Sequence, residues 1–321
     1  MSAIATLTMN PALDVTTSTA TIKPGHKLRC AGPREDPGGG GINVARAIHA
    51  LGGSAVALYP SGGASGARIT GLLERAGVPV RTVAIAGTTR ESFTVDEQTS
   101  GRQYRFVLPG PELSQGEQAR CLELLAELQP RPRWLVASGS LPPGTPETFL
   151  LMLGGLCRSL DIELLLDSSG PALARCASLD ALLLKPSLSE LEALVARSLP
   201  NEAEEEAAAR SLIDRGFARA ILVSLGARGA LLATAGSATR FPAIPVSMRS
   251  TVGAGDSMLA AVTLALSRGW PLEQSVRLGI AAGAAALTAP GTSLASREDV
   301  ERLFGGEIDG AAPGLMAEAI G

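Results

Sequence analysis

Trp134-Leu135-Val136-Ala137-Ser138 and Ile162-Glu163-Leu164-Leu165-Leu166-Asp167 are short, nearly unbroken apolar runs, and residues 146–160 between them carry a helical pattern. A strand with one face in water alternates polar and apolar residues, whereas a strand that is apolar throughout has both faces covered. The unit is therefore strand, helix, strand, and the same rhythm recurs on either side of it. Strands are expected at 3–8, 55–59, 134–138, 162–167, 181–184, 220–224 and 230–234. Helices are expected at 42–51, 65–76, 115–128, 146–160, 202–215, 254–268 and 273–287. Such alternation predicts an α/β fold, a mostly parallel central sheet flanked by helices, whose ligands gather at the carboxyl ends of the strands.

Two regions break the rhythm. Segments 13–36 and 88–108 lack helical periodicity and are rich in Thr, Val, Arg and Gly; Tyr104, Phe106 and Leu108 alternate, and Gln98-Thr99-Ser100-Gly101 has hairpin-turn composition. They predict a small second sheet lying over one edge of the main domain, long ordinary loops being the alternative. The expected organisation is one domain over 1–304 with these two segments inserted, then a Gly- and Ala-rich tail, 305–321, with a frayed end and no core role.

Composition narrows the chemistry. The chain has 321 residues, 45% hydrophobic and 18% charged, with a formal net charge of −3. That is enough apolar material for a large core. No basic run is present to draw nucleic acid, and no apolar run is long enough to span a bilayer. Met1-Ser2-Ala3-Ile4 carries no charged stretch ahead of an apolar one, and Cys30, Cys121, Cys157 and Cys176 are scattered, so a reduced, cytoplasmic protein is expected. Only His26 and His49 are present, too few for a multi-histidine metal site. The 28 Lys and Arg include just three lysines, Lys23, Lys27 and Lys185.

Two glycine motifs carry the chemical signal. In Thr251-Val252-Gly253-Ala254-Gly255-Asp256-Ser257, two glycines open an apolar helix. Glycine leaves the first-turn N–H groups unobstructed, and the helix dipole makes that end welcoming to an anion. A carboxylate there, Asp256, is placed to take a proton from an alcohol while the amides hold charge developing on a transferring phosphoryl group. Asp256 is equally readable as a first-turn acid complementing the dipole. In Pro37-Gly38-Gly39-Gly40-Gly41-Ile42-Asn43, four glycines precede a patterned helix and allow close approach of a ligand to the backbone, and Asn43 offers an amide to hydroxyl groups. Neither motif is a Walker A loop, and no G-x-G-x-x-G follows a strand.

Thr8-Met9-Asn10-Pro11-Ala12-Leu13-Asp14, the glycine run with Asn43, Ser138-Gly139-Ser140-Leu141-Pro142-Pro143-Gly144, Ser224-Leu225-Gly226-Ala227-Arg228-Gly229 and Gly253-Ala254-Gly255-Asp256 stand in an order that resembles the PfkB (ribokinase-like) carbohydrate kinases. The resemblance spans about residues 1–304. It implies a ribokinase-like fold with a β-sheet lid, a homodimer paired through that lid, and ATP-dependent phosphorylation of fructose 6-phosphate at O1. Phosphorylation of fructose 1-phosphate or tagatose 6-phosphate is the close alternative, and a sugar-phosphate or nucleotide sensor without turnover the alternative of another class. Relatives acting on the former often carry Lys at the position of Gly40, which favours the 6-phosphate.

The resemblance also implies roles. Asp14 and Asn43 would bind sugar hydroxyls, with Gly39 and Gly40 in close backbone contact; Lys27 and Arg90 would hold the sugar phosphate, with Arg29, Arg105 and Ser140 in matching stretches. Gly253, Ala254 and Gly255 would form the anion hole and Asp256 the base. Ser224, Gly226 and Gly229 would line the nucleotide site, with Lys185 and Ser187 nearby and Ala284 against the base. Glu190 would organise Mg2+ through water. This chain has Ser187-Leu188-Ser189-Glu190 where the family usually has Asn-x-x-Glu, and those residues also spell a helix capping box. A K+ site would involve Ser250, Val252, Ala286 and Gly291, but Ala289 and Ser293 depart from the pattern of relatives there.

Overall fold

The computed structural model describes residues 3–248, 253–289 and 294–309. Thirteen strands lie among them: β1 (Ile4–Leu7), β2 (Ala12–Thr19), β3 (Arg34–Gly38), β4 (Ala55–Ser61), β5 (Val80–Ala84), β6 (Arg90–Glu97), β7 (Gln103–Val107), β8 (Trp134–Ser138), β9 (Glu163–Asp167), β10 (Ala181–Leu184), β11 (Ala218–Ser224), β12 (Ala230–Thr234) and β13 (Ala238–Phe241). Nine form one sheet in the order β13-β12-β11-β10-β9-β8-β1-β4-β5. Its pairings are parallel from β5 to β11, and β12 and β13 are added antiparallel at the edge.

The apolar runs that predicted this sheet divide their side chains between two cores. Trp134, Val136 and Leu165 enter the core under helices Gly40–Ala50, Ala254–Ser267 and Leu272–Thr288. Leu135, Ala137, Leu164 and Leu166 enter the opposite core, under helices Gln115–Ala126, Phe149–Ser159 and Glu202–Asp214. Period-two alternation sends neighbours to opposite faces, and each fully buried Leu or Val contributes roughly 1.5–3 kcal/mol relative to exposure.

The expected extra sheet is present. It is four-stranded, in the order β3-β2-β6-β7, with β2 and β6 parallel and both outer pairings antiparallel. Register places Asp14 opposite both Asp36 and Ser92, and Arg105 opposite Thr94, so these side chains share one face.

Other features depart from expectation. The edge strands β5 and β13 and the helix Arg297–Phe304 are additional to those expected, and the capping box read at Ser187 opens a helix, Leu188–Val195, that was not in the expected set. All four are short, and β5 is largely exposed, so none offers a long apolar stripe. The start of the supposedly coreless tail also differs: Ile308 is fully buried, and Asp309 pairs with Arg268 at 2.7 Å and Arg297 at 2.6 Å. One apolar residue in a Gly-rich stretch is too weak a pattern to announce a buried strap. Residues 310–321 lie outside those described. Among the described residues no helix is long and apolar enough to cross a membrane.

Candidate active site

The parallel strands aim their carboxyl ends at one cleft. Ser138 ends β8, Asp167 ends β9, Lys185 follows β10 and Ser224 ends β11. Two helices begin at the same place. Helix Ala254–Ser267 starts from Gly253, whose φ of 76° suits glycine and which supplies no side-chain cap. Helix Gly40–Ala50 starts from Gly39, likewise without a side-chain cap of its own, although Thr8 Oγ1 accepts the Ile42 N–H at 2.8 Å.

Asp256 sits in the first turn between these elements. Its Oδ2 accepts from Asn43 Nδ2 at 2.9 Å, and its Oδ1 from Ser138 Oγ at 3.4 Å. Burial, reinforced by the charge of Asp167, raises its pKa to about 6, with Asn43, Lys185 and Ser138 pulling the other way. Lys185 is buried and pairs with Asp167 at 2.9 Å. Burial alone would lower its pKa, but Asp167, and then Asp256 and Glu190, hold the ammonium above its ordinary range. A Cβ on Gly255 would lie 3.3 Å from Lys185 Nζ, so the cation stands directly against the backbone of this helix's first turn.

The four-glycine run is explained by contacts, position by position. A Cβ on Gly38 would lie 2.1 Å from Asp14 Oδ2, one on Gly40 2.2 Å from Ser138 Oγ and 2.7 Å from Gly139 N, and one on Gly41 2.6 Å from Leu7 O. Gly39 has φ 113°. The run thus packs Asp14, Ser138 and two helix-start amides into one corner, where a flexible linker would pack nothing.

On the lid side, burial raises Asp14 to about 6, opposed chiefly by Arg105 and then Arg90. Arg90 donates from Nε and Nη2 to the Asn10 carbonyl, at 3.3 and 3.1 Å, and from Nη1 to the Leu108 carbonyl at 3.2 Å. It ties the lid to the end of β1, with two N–H groups still to offer. Asn10 Nδ2 donates to Ser140 Oγ at 3.2 Å. Lys27 and Arg29 are not brought here. They lie in an exposed loop, with the Arg29 carbonyl beside Thr19. Five residues of extended β2 separate Thr19 from Asp14, about 17 Å.

On the other side of Asp256, Ser224, Gly226, Gly229, Gly255 and Ala284 line a cleft of ≈ 270 Å³, together with apolar Met258, Ile280 and Leu287. Every residue assigned to the nucleotide except Lys185 and Ser187 lines this cleft, and Ser187 is bridged to Ser224. The capping box is formed: Ser187 Oγ accepts the Glu190 N–H, while Glu190 Oε2 accepts from Ser187 N at 2.8 Å and Ser187 Oγ at 2.9 Å. Of the suggested K+ residues, Ala286 is buried near the end of helix Leu272–Thr288, while Ser250, Val252 and Gly291 lie outside the described residues.

Sequence reasoning did not assign Asp167 or Ser138 to the site. Each is the polar last residue of an apolar strand, and that position was the available signal.

The model of the pfkB family carbohydrate kinases matches residues 5–299. The chain is 53% identical over 301 residues to the ATP-dependent 6-phosphofructokinase isozyme 2 of Mycobacterium tuberculosis, covering 94% of this chain and 88% of that one. It is similar to two solved structures of phosphofructokinase-2 from Escherichia coli. The complex with potassium superposes with TM-score 0.91 at 43% identity, and the complex with fructose-6-phosphate with TM-score 0.88 at 42% identity. Each comparison covers 95% of this chain and 99% of the other.

Proposed function

The chain belongs to the pfkB family of carbohydrate kinases, and from that premise we propose that it transfers the γ-phosphoryl group of ATP to O1 of fructose 6-phosphate, giving fructose 1,6-bisphosphate and ADP. The observation that carries the proposal is the position of Asp256, a carboxylate of raised pKa in the first turn of an uncapped helix, bonded to Asn43 and Ser138 and set beside an apolar cleft that Gly255 of the same turn lines.

Asp14 and Asn43 orient the sugar hydroxyls, and Arg90 and Arg105 face its phosphate. Asp256 takes the O1 proton. The N–H groups of Gly253, Ala254 and Gly255, with the Lys185 ammonium beside them, receive the charge that builds on the phosphoryl group. Among the described residues no three acids, histidines or cysteines converge to hold a metal by themselves. Mg2+ would therefore arrive with the triphosphate, held through water by Glu190 and Asp167, where it would offset phosphate charge. Binding of K+ by this chain is supported by the potassium complex of the E. coli relative alone.

The chain pairs with a second copy through the lids. Phe106 and Val107 are more than half exposed on the lid, a surface that calls for cover. Lys27 and Arg29 then serve the sugar site of the partner, being too far from that of their own chain.

The test is release of ADP from ATP over a panel of fructose 6-phosphate, fructose 1-phosphate, tagatose 6-phosphate, ribose and adenosine. Fructose 6-phosphate should give the highest kcat/KM. A higher value with fructose 1-phosphate would move the reading to the alternative substrate, and no release with any sugar would leave a binding protein.

A further inference from the structure

The nucleotide cleft is edged by a short glycine-containing turn whose local shape is set by three backbone hydrogen bonds within it. Between Ser224 and Ala230 the chain turns through Gly226, at φ 60°, and Gly229, at φ 89°, closed by Leu225 N donating to Gly229 O at 2.8 Å. Ser224, Gly226 and Gly229 face the cleft. Glycines keep the surface bare for a ligand but leave the backbone with the largest freedom to lose on ordering. Those backbone bonds fix the turn's local shape, and a side-chain tie from behind adds restraint on where it sits.

That tie runs to a buried acid. Glu205, on helix Glu202–Asp214, stands in an acidic run that reads as a solvated face, yet it is only 1% exposed. Its Oε1 accepts from Arg228 Nη2 at 2.6 Å and its Oε2 from Arg240 Nη1 at 2.9 Å. Arg240 is itself fixed by Nε to Glu206 at 3.1 Å and by Nη2 to the Glu202 carbonyl at 2.8 Å. Arg228 belongs to the loop and does not line the cleft. On its other flank the loop rests on β13, where a Cβ on Gly229 would meet Phe241 O at 1.9 Å. The loop is thus seated on β13 and tied from behind through a single side chain, Arg228.

We propose that Glu205 is a positioning residue for the nucleotide: it holds the Gly226–Arg228 turn, through Arg228, in the conformation that binds ATP, without touching ATP itself. A buried carboxylate between two guanidiniums suits this role. Its contacts are directional, and loosening one of them leaves the acid paired with the other, so the loop is released without exposing an unpaired buried charge.

The inference rests on the kinase reading, and the experiment separates the two. Binding of an ATP analogue with a non-transferable γ-phosphoryl group is measured by calorimetry without sugar, and steady-state turnover alongside it. A wild-type chain that bound no analogue would sink the kinase reading itself. Given wild-type binding, Arg228→Ala is the decisive variant, because its side chain is 48% exposed and its loss leaves Glu205 paired with Arg240. The dissociation constant of the analogue and the KM for ATP should rise about tenfold, the scale of one lost ordering contact. The KM for the sugar phosphate and kcat at saturating ATP should stay within about twofold, since neither depends on the loop once it is filled. Glu205→Gln should act in the same direction, and the double variant should bind no worse than the weaker single, as for two halves of one contact. Arg228→Lys, which retains one charged contact, should recover part of the affinity. A correctly folded Arg228→Ala chain with wild-type affinity for the analogue would overturn the inference, and so would a parallel rise in both KM values.

Discussion

Two helices begin within reach of Lys185, and they begin in opposite ways. Leu188–Val195 starts from Ser187 and closes its own end, the Ser187 hydroxyl accepting the Glu190 N–H and the Glu190 carboxylate accepting the Ser187 N–H. Ala254–Ser267 starts from Gly253, in left-handed conformation, and no side chain caps it. Gln115–Ala126, Glu202–Asp214 and Arg297–Phe304 follow the first pattern, with Ser114, Asn201 and Ser296 as caps. Gly63–Arg75, Phe149–Ser159 and Leu272–Thr288 also lack a side-chain cap, so it is the glycine start beside a buried acid that sets Ala254–Ser267 apart. A self-capped end is already satisfied and serves the fold. An uncapped end keeps its donors and dipole for a ligand, at some cost in stability. The difference separates the part of the cleft built to last from the part built to bind.

The open end is the more sensitive of the two. Asp256→Asn keeps the shape and the Asn43 contact but removes the base, so turnover should fall by roughly two to four orders of magnitude. Binding of both substrates should hardly change. Near-normal turnover in a folded variant would mean that the open end binds without supplying the base.

The other glycine-led start tests the same contrast by crowding. Gly40→Ala places a Cβ 2.2 Å from Ser138 Oγ and 2.7 Å from the Gly139 nitrogen, and Ser138 is bonded to Asp256. A displacement of that corner by a few tenths of an ångström or more should cost turnover on the order of a hundredfold, more than it costs in affinity for ATP. Unchanged kcat would show that Ser138 yields freely and does not position the base.

At the closed end the effect should appear in stability. Ser187→Ala should cost roughly 0.5–2 kcal/mol and lower the melting temperature, with the dependence of turnover on free Mg2+ unchanged. Glu190→Gln sharpens the test, because its effect on the cap is small while its effect on charge near Lys185 is not. A shifted Mg2+ curve in Glu190→Gln alone assigns the acid to the metal, whereas a lowered melting temperature alone leaves it a cap.

Much of this was legible from sequence, and the exceptions share a cause. Strands such as Trp134–Ser138 announced themselves because both faces are covered, and the glycines at 38–41 and at 253 and 255 because they leave helix-start N–H groups open where a side-chain cap would satisfy them. The lid followed from the break in periodicity. By contrast, the pairing of Lys185 with Asp167 depends on β9 and β10 being neighbours, which no local pattern states. Arg90 could be placed in the site but not on the carbonyls of Asn10 and Leu108, which only the fold brings together. Lys27 and Arg29 sit in a matching stretch, yet the register of β2 carries them to the far end of the lid. Glu205 was hidden in an acidic run whose neighbours are solvated. In each case the missing information is which strand lies beside which, a property of the whole chain.

The central claim, that Asp256 is the group that takes the proton, is tested most directly by the pH dependence of kcat/KM for the sugar phosphate, which reports the ionisation of the free enzyme. Burial and the charge of Asp167 raise Asp256 to about 6, and a base must be ionised to act, so its active fraction grows as pH rises through that value. The wild type should lose about tenfold in kcat/KM per unit of pH well below 6 and reach a plateau above about 7. Asp256→Asn should lose that inflection and keep only whatever titration belongs to the substrates, whose phosphate groups also ionise near 6. A flat wild-type profile, or the same inflection at full amplitude in the variant, would contradict the account.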